Sequence, residues 1–247
     1  MLIELSASNE LRRWLNLDAP MLTQPGSQAL GAQAISSSED SVSWQCHVIS
    51  HQSSQAQPFH TVVAVQARSE YVLLIPYLNT PTPEQLAGDL IYRWGNELMH
   101  RMVDSGSIER KNVEVVAEHF NSTPREWHWY LNTDPLLQPQ AEAAQQWVSG
   151  YMDAFGLEHL EEDHAIDLGA HINAQSVKGT DFEPDDKALK GFVADGLFRF
   201  AFGLCPNAYE NTSTGDFPWP WGAPPKLLEP NTGGGSNLVS LKDFRNR

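Results

Sequence analysis

Cysteine is scarce in this chain of 247 residues: only Cys46 and Cys205 occur, far apart and in no pair motif. That spacing excludes a disulfide scaffold and predicts two small core residues of a reduced protein. Long apolar runs are missing as well. No stretch approaches the roughly 18 uncharged apolar residues of a membrane span. Residues 1–30 contain no basic region followed by an apolar one, so no signal peptide is expected and the expected location is cytoplasmic. Basic residues are few, with 16 Lys and Arg against 31 Asp and Glu, a net charge of −15. The imbalance is concentrated in residues 134–195, where 13 acids face only Lys178, Lys187 and Lys190. A body this acidic repels phosphates, so neither nucleic acid nor a membrane is an expected partner. Two readings turn this charge into a function: a surface that imitates nucleic acid, or one that receives a basic partner. Also missing are the phosphate loops GxxxxGK[ST] and GxGxxG, the metalloprotease HExxH and the nucleophile elbow GxSxG.

The content that remains is globular, 41% hydrophobic and 19% charged, enough to build a core. Residues 2–6 alternate apolar and polar as a short strand does, and Ser8 or Asn9 can cap a helix carrying Leu11, Trp14 and Leu15. SVSWQCHVIS puts Val42, Trp44, Cys46 and Val48 on one strand face, with Ser43, Gln45 and His47 on the other. FHTVVAVQA follows with Phe59, Thr61, Val63 and Val65 on one face, and YVLLIPYL is apolar throughout, which predicts a central strand covered on both sides. Short polar links make these three strands an antiparallel meander. Thr82, Pro83 and Gln85 then form a helix start with a capping box, and Leu86, Leu90, Trp94, Leu98 and Met102 step along one face. A further helix is expected over 112–120, a strand over 125–131 with Trp127, Trp129 and Leu131 inward, and two helices broken near Gly156. A last helix begins with Pro184 in its first turn. After Cys205 the pattern ends in prolines and GGGS, a flexible spacer. The expected organisation is one α+β domain over 1–205, a small and mostly antiparallel sheet packed by helices, followed by a Pro/Trp/Gly-rich arm over 206–247.

This order resembles an uncharacterised bacterial family, a domain of unknown function, over about residues 1–195. The layout carries it: an early helix, a strand around Trp44, paired strands ending at Leu78, a long helix opening with TPEQL, and LNTDPLLQPQ leading into more helices. The resemblance implies the fold and no activity.

Histidines are the main catalytic material. In EEDHAIDLGAH, a helix sets His164, Asp167 and His171 on one face with Glu161 one turn earlier. Two imidazoles and one or two carboxylates are a ligand set for zinc or a harder divalent metal. The plain alternative is an exposed polar stripe on an acidic helix. His47, His51, His60 and His128 lie on or beside expected strands, and His47, His60 and His128 share a sheet face if those strands are neighbours.

Of eight tryptophans, Trp14, Trp44, Trp94, Trp127, Trp129 and Trp147 fall on apolar stripes and are expected in the core. Trp219 and Trp221, in DFPWPWGAPP, fit no stripe. Alternating prolines keep that backbone extended and lower the entropy lost on docking. Two such rings are costly to leave in water, so they are expected against a groove, in the same chain or another. The final NLVSLKDFRNR carries Leu238, Leu241 and Phe244 at i+3 with Lys242, Arg245 and Arg247 nearby, an apolar and basic docking segment that complements the acidic body. The expected binding residues are therefore Trp219, Trp221, Leu238, Leu241, Phe244 and Arg245. The expected partner is a protein, or a second copy, reached through 206–247. The function this favours is a non-catalytic protein-interaction or regulatory protein, antitoxin-like or an adaptor, without a cofactor. The alternatives are a divalent-metal hydrolase using Glu161, His164, Asp167 and His171, and the acidic nucleic-acid mimic.

Overall fold

The computed structural model describes residues 1–23, 30–51, 58–178, 181–184, 186–202 and 204. They form an α+β fold around a five-stranded sheet. Contacts divide the chain into two compact units, Met1–Arg93 with Arg125–Phe192, and Trp94–Pro124 with Val193–Arg247. The sequence reading instead places 1–205 in one domain.

The first unit holds the sheet. Its strands are β1 (Leu2–Ala7), β2 (Ser41–His51), β3 (Phe59–Gln66), β4 (Val72–Tyr77) and β5 (Glu126–Leu131), in the order β4-β3-β2-β1-β5. The β2-β3-β4 meander is antiparallel, as the short polar links predict. Strand β1 lies between β2 and β5 and runs parallel to both. A hairpin of β6 (Gln175–Lys178) and β7 (Asp181–Pro184) makes antiparallel pairings the majority. Pro184 therefore closes a strand, and the helix expected to start there, α6 (Lys187–Gly196), begins three residues later.

One sheet face is largely apolar, with Gln66 and His60 of β3 among its polar members. Ile3, Leu5, Val42, Trp44, Cys46, Val62, Ala64 and Leu73 are all at most 1% exposed. Helix α1 (Asn9–Leu15) covers part of it with Leu11 and Leu15, and Ser8 caps that helix by accepting the Leu11 N–H. Helix α2 (Pro83–Asp104) opens with the predicted capping box: Thr82 N–H donates to Gln85 Oε1 at 2.8 Å, and Gln85 N–H to Thr82 Oγ1 at 3.2 Å. Its first turns cross the same face, since Asp89 accepts from Tyr77 Oη on β4 at 2.7 Å. Burial pushes the Cys46 thiol up to about 12, so it is an inert core residue. Cys205 lies outside the described residues.

The opposite face is apolar only where helices α4 (Gln138–Phe155) and α5 (Glu162–Asn173) lie on it, over Ile49, Val63, Val65, Val72 and Leu74. Gly156, at φ +63°, takes the left-handed turn that ends α4. Towards β1 the same face is polar and still buried. Ser6, Ser43 and Gln45, read as the outward side of their strands, are at most 1% exposed. Residues 33–37 lie across them and are held by hydrogen bonds. Gln33 exchanges two with the Asn132 side chain at 2.8 Å each, Ile35 N–H donates to Asp134 Oδ2, and Ser43 N–H donates to Ser37 Oγ. Gln45 ties this cover to the sheet by donating to the carbonyls of Ser6 and Asn132 and accepting the Asp134 N–H. The side chains of Ser43 and Gln45 are tolerated in this buried place because each has hydrogen-bond partners.

The described residues of the second unit are mostly helical. They include the later turns of α2, a 3-10 turn at Arg110–Asn112, α3 (Val113–Ser122), the end of α6 and a π turn at Leu197–Ala201. Trp94, Phe120 and Phe200 form an edge-to-face cluster with centroids 4.8–5.6 Å apart. The π turn changes the carbonyl pattern of its helix, and His119 Nδ1–H donates to the Phe200 carbonyl at 2.8 Å. A buried pair, Asp195 with Arg199 at 2.9 Å, closes the same turn.

Candidate functional site

The two ends of the sheet differ. The apolar strand β4, expected at the centre, is at an edge. Its doubly covered character is real, since Val72, Leu73 and Leu74 are each 1% exposed. The outer side of Val72 is paired with a side chain instead of a strand. Val72 N–H donates to Asn173 Oδ1 at 2.7 Å, and Asn173 Nδ2 donates to the Val72 carbonyl at 2.8 Å. A third bond, to the Gly169 carbonyl, holds the amide in place at the end of α5. The Asn173 amide thus acts as a one-residue strand.

Strand β5 is the other edge. Its even-numbered residues face β1, as the Glu126 N–H bond to Met1 and the Asn132 N–H bond to Ala7 show. Its odd-numbered residues point their N–H and C=O outward, because these groups alternate sides along a parallel strand. At Leu131 they are used: its N–H donates to the Pro20 carbonyl at 2.8 Å and its carbonyl accepts from Leu22 N–H at 3.1 Å, a short parallel bridge. At Trp127 and Trp129, no segment among the described residues pairs with them.

Beside this edge lies a cleft of about 540 Å³, lined by residues 15–20, by Pro83 and Glu84, and by Trp127, His128, Trp129 and Tyr130. Four consecutive strand residues point alternately to opposite faces, so a cleft that touches all four runs along the strand edge itself. Trp127, expected inward, is 39% exposed, and Trp129 is half-buried. Alternation assigns both indoles to the Leu5 face correctly, but the cover on that face stops short of the edge. The charged residues lining the cleft are Asp18 and Glu84, with no Lys or Arg among them. His128 turns to Glu126 at 2.8 Å.

The binding residues expected in the arm, Trp219, Trp221, Leu238, Leu241, Phe244 and Arg245, lie outside the described residues. The EEDHAIDLGAH segment does form a helix, α5, with Glu161 at its N-cap. His171 packs edge-on to Trp147 at 4.6 Å and His164 tilts towards Tyr151 at 6.0 Å, both on α4, while Asp167 is exposed. Glu161 lies 4.0 Å from His159. Among the described residues, no three His, Cys, Asp or Glu side chains are grouped as metal ligands would be.

The strand histidines do not share one face. His47 and His128 are on the polar side, whereas His60 is on the apolar side, stacked on Trp14 at 4.7 Å. His51 shares a hydrogen bond with Thr61 at 2.9 Å. Burial holds His47, His51 and His60 below the usual imidazole range, and for His51 the nearby His60 adds to this. No protein-family model, curated protein or solved structure matches the chain. The resemblance to an uncharacterised bacterial family therefore rests on layout alone.

Proposed function

We propose that this chain acts by binding another polypeptide, as a non-catalytic adaptor or antitoxin-like regulator of the cytoplasm. The residues that reach out are those of the arm, 206–247, and the receiving site is the β5 edge. The observation that carries this reading is that no described residue pairs with the main chain of Trp127 and Trp129, beside a cleft walled by their own indoles. An open edge is an aggregation hazard that proteins commonly blunt with lysine, proline or a bulge. Residues 126–131 include neither lysine nor proline, and they carry two tryptophans. An extended segment added here gains main-chain hydrogen bonds for affinity and ring burial for specificity. Asp18 and Glu84 at the rim favour a segment without negative charge.

The test is amide exchange at Trp127 and Trp129, in the purified chain and in the complex recovered with it from its own cells. Protection in the complex, together with loss of the partner on joint Trp127→Ala and Trp129→Ala substitution, supports the reading. Recovery of the same partner by the substituted chain, or unprotected amides in every complex, rejects it.

A further inference from the structure

Provided that β5 is the receiving edge, its geometry also selects what fits. The outward groups come from alternate residues, Trp127 and Trp129, each with one N–H and one C=O. A chain laid beside them needs donors at every second position, and the groups between point away from the edge. Within residues 217–226, FPWPWGAPPK, the stretch 217–221 has donors at alternate positions only. Pro218 and Pro220 lack an N–H. In an extended chain the N–H groups of Trp219 and Trp221 then fall on one side, and the other side has no donor from 218 or 220. Such a segment pairs along one edge only. It would end the sheet instead of presenting a new open edge to the next molecule. Pairing also sets the arm's indoles next to those of Trp127 and Trp129, at the roughly 5 Å spacing of neighbouring strands. Lys226 brings a positive charge to a rim whose charged residues are Asp18 and Glu84.

We propose that residues 217–226 of a second copy of this chain occupy the cleft as an added edge strand, giving a dimer by reciprocal arm exchange. Each copy brings one open edge and one single-sided segment, so a two-fold arrangement satisfies both edges and leaves none for a third molecule. The area is adequate. Four arm tryptophans bury about 600–1,000 Å² at about 150–250 Å² each. With the surface they cover on the two β5 edges, the total reaches the roughly 1,200–2,000 Å² of a stable interface.

The experiment is sedimentation of the full-length chain over a range of concentrations, with two double variants. Trp219→Ala with Trp221→Ala disables the arm and keeps the edge. Trp127→Ala with Trp129→Ala disables the edge and keeps the arm. The unsubstituted chain is expected to dimerise, and each variant alone to do so at least about 30-fold more weakly. An equimolar mixture of the two variants is expected to form a heterodimer through its one intact arm and one intact edge. That recovery also shows both variants to be folded. A dimer that survives either double substitution, or a mixture that recovers nothing, overturns the proposal. So does a monomer whose Trp127 and Trp129 amides are protected until Trp219 and Trp221 are replaced, because the arm then serves its own chain. If the chain is monomeric with unprotected edge amides, and a different polypeptide protects them, arm exchange falls while the receiving role of β5 stands. If nothing protects them, both fall.

Discussion

At β4 one asparagine pairs with the outward groups of Val72, while at β5 two tryptophans stand beside an edge that no described residue pairs at 127 and 129. Both strands are hydrogen-bonded on their inner side, and both carry large apolar side chains. They differ in what lies outside. Helix α5 packs on β4 and ends in Asn173, whose amide has the donor and acceptor that a neighbouring strand would supply. Beside β5 the chain segment at 20–22 pairs with Leu131 only, and residues 15–20 form the far wall of a cleft. A single side-chain amide is therefore enough to pair one outward residue in this fold. That makes the open side of Trp127 and Trp129 a feature to explain.

The largest expected effect comes from breaking the closed edge. Asn173→Ala removes three hydrogen bonds and leaves the buried Val72 and Gly169 groups without them. A loss of about 3 kcal/mol is expected in denaturant unfolding, with an unchanged slope. A loss below about 1 kcal/mol would mean that the amide is not what closes β4. Next is the polar cover near the end of β5. Asp134→Ala removes the acceptors of the Ile35 and Leu136 N–H groups and is expected to cost about 2 kcal/mol. The backbone amide of Ile35 should then exchange faster. Trp127→Ala should cost no more than about 1 kcal/mol in the same assay, because its ring is already partly in water. Its effect should fall on association instead. A cost like that of Asn173→Ala would make Trp127 a structural residue and weaken the contrast between the edges.

The smallest effect concerns the strands between the edges. His47, His51 and His60 titrate below the unfolded value because burial disfavours the charged ring. Below the unfolded pKa of about 6.5 the unfolded chain binds protons that the folded one does not, so stability falls as pH falls from there towards the folded values. A drop of a few degrees in Tm between about pH 7 and about pH 5 is expected from this source. It should be shallower in His51→Gln, where that ring no longer titrates. An equal slope in the variant would assign the acid sensitivity to other groups.

Much of the closed edge was legible in outline. YVLLIPYL reads as covered on both faces, and it is, but the same run reads equally well as central or as edge. Periodicity reports which faces are dry and carries no information about who sits alongside. Asn173 is 101 residues from Val72 along the chain, so nothing local to Val72 announces the amide. The open edge was misread for a related reason. EWHWYL alternates correctly, yet whether a helix or loop reaches far enough to cover Trp127 depends on how residues 15–20 and the start of α2 are placed. The histidines fail in the same way: the hairpin register sets His60 opposite Ser50 and His47 opposite Val63, so the two point to opposite faces.

By itself the sequence determined the local structure: the Ser8 cap, the Thr82–Gln85 box, the meander and the helix break at Gly156, each written in a few adjacent residues. It also determined that the arm is rich in proline and tryptophan and the body acidic. Tertiary structure alone decided that β1 runs between β2 and β5, that an asparagine pairs with Val72 on β4, and that two indoles line an edge that no described residue pairs at 127 and 129. The physical reason is range. Caps and turns are decided by neighbours within a few residues, whereas strand order and edge exposure depend on which distant segments come to lie side by side.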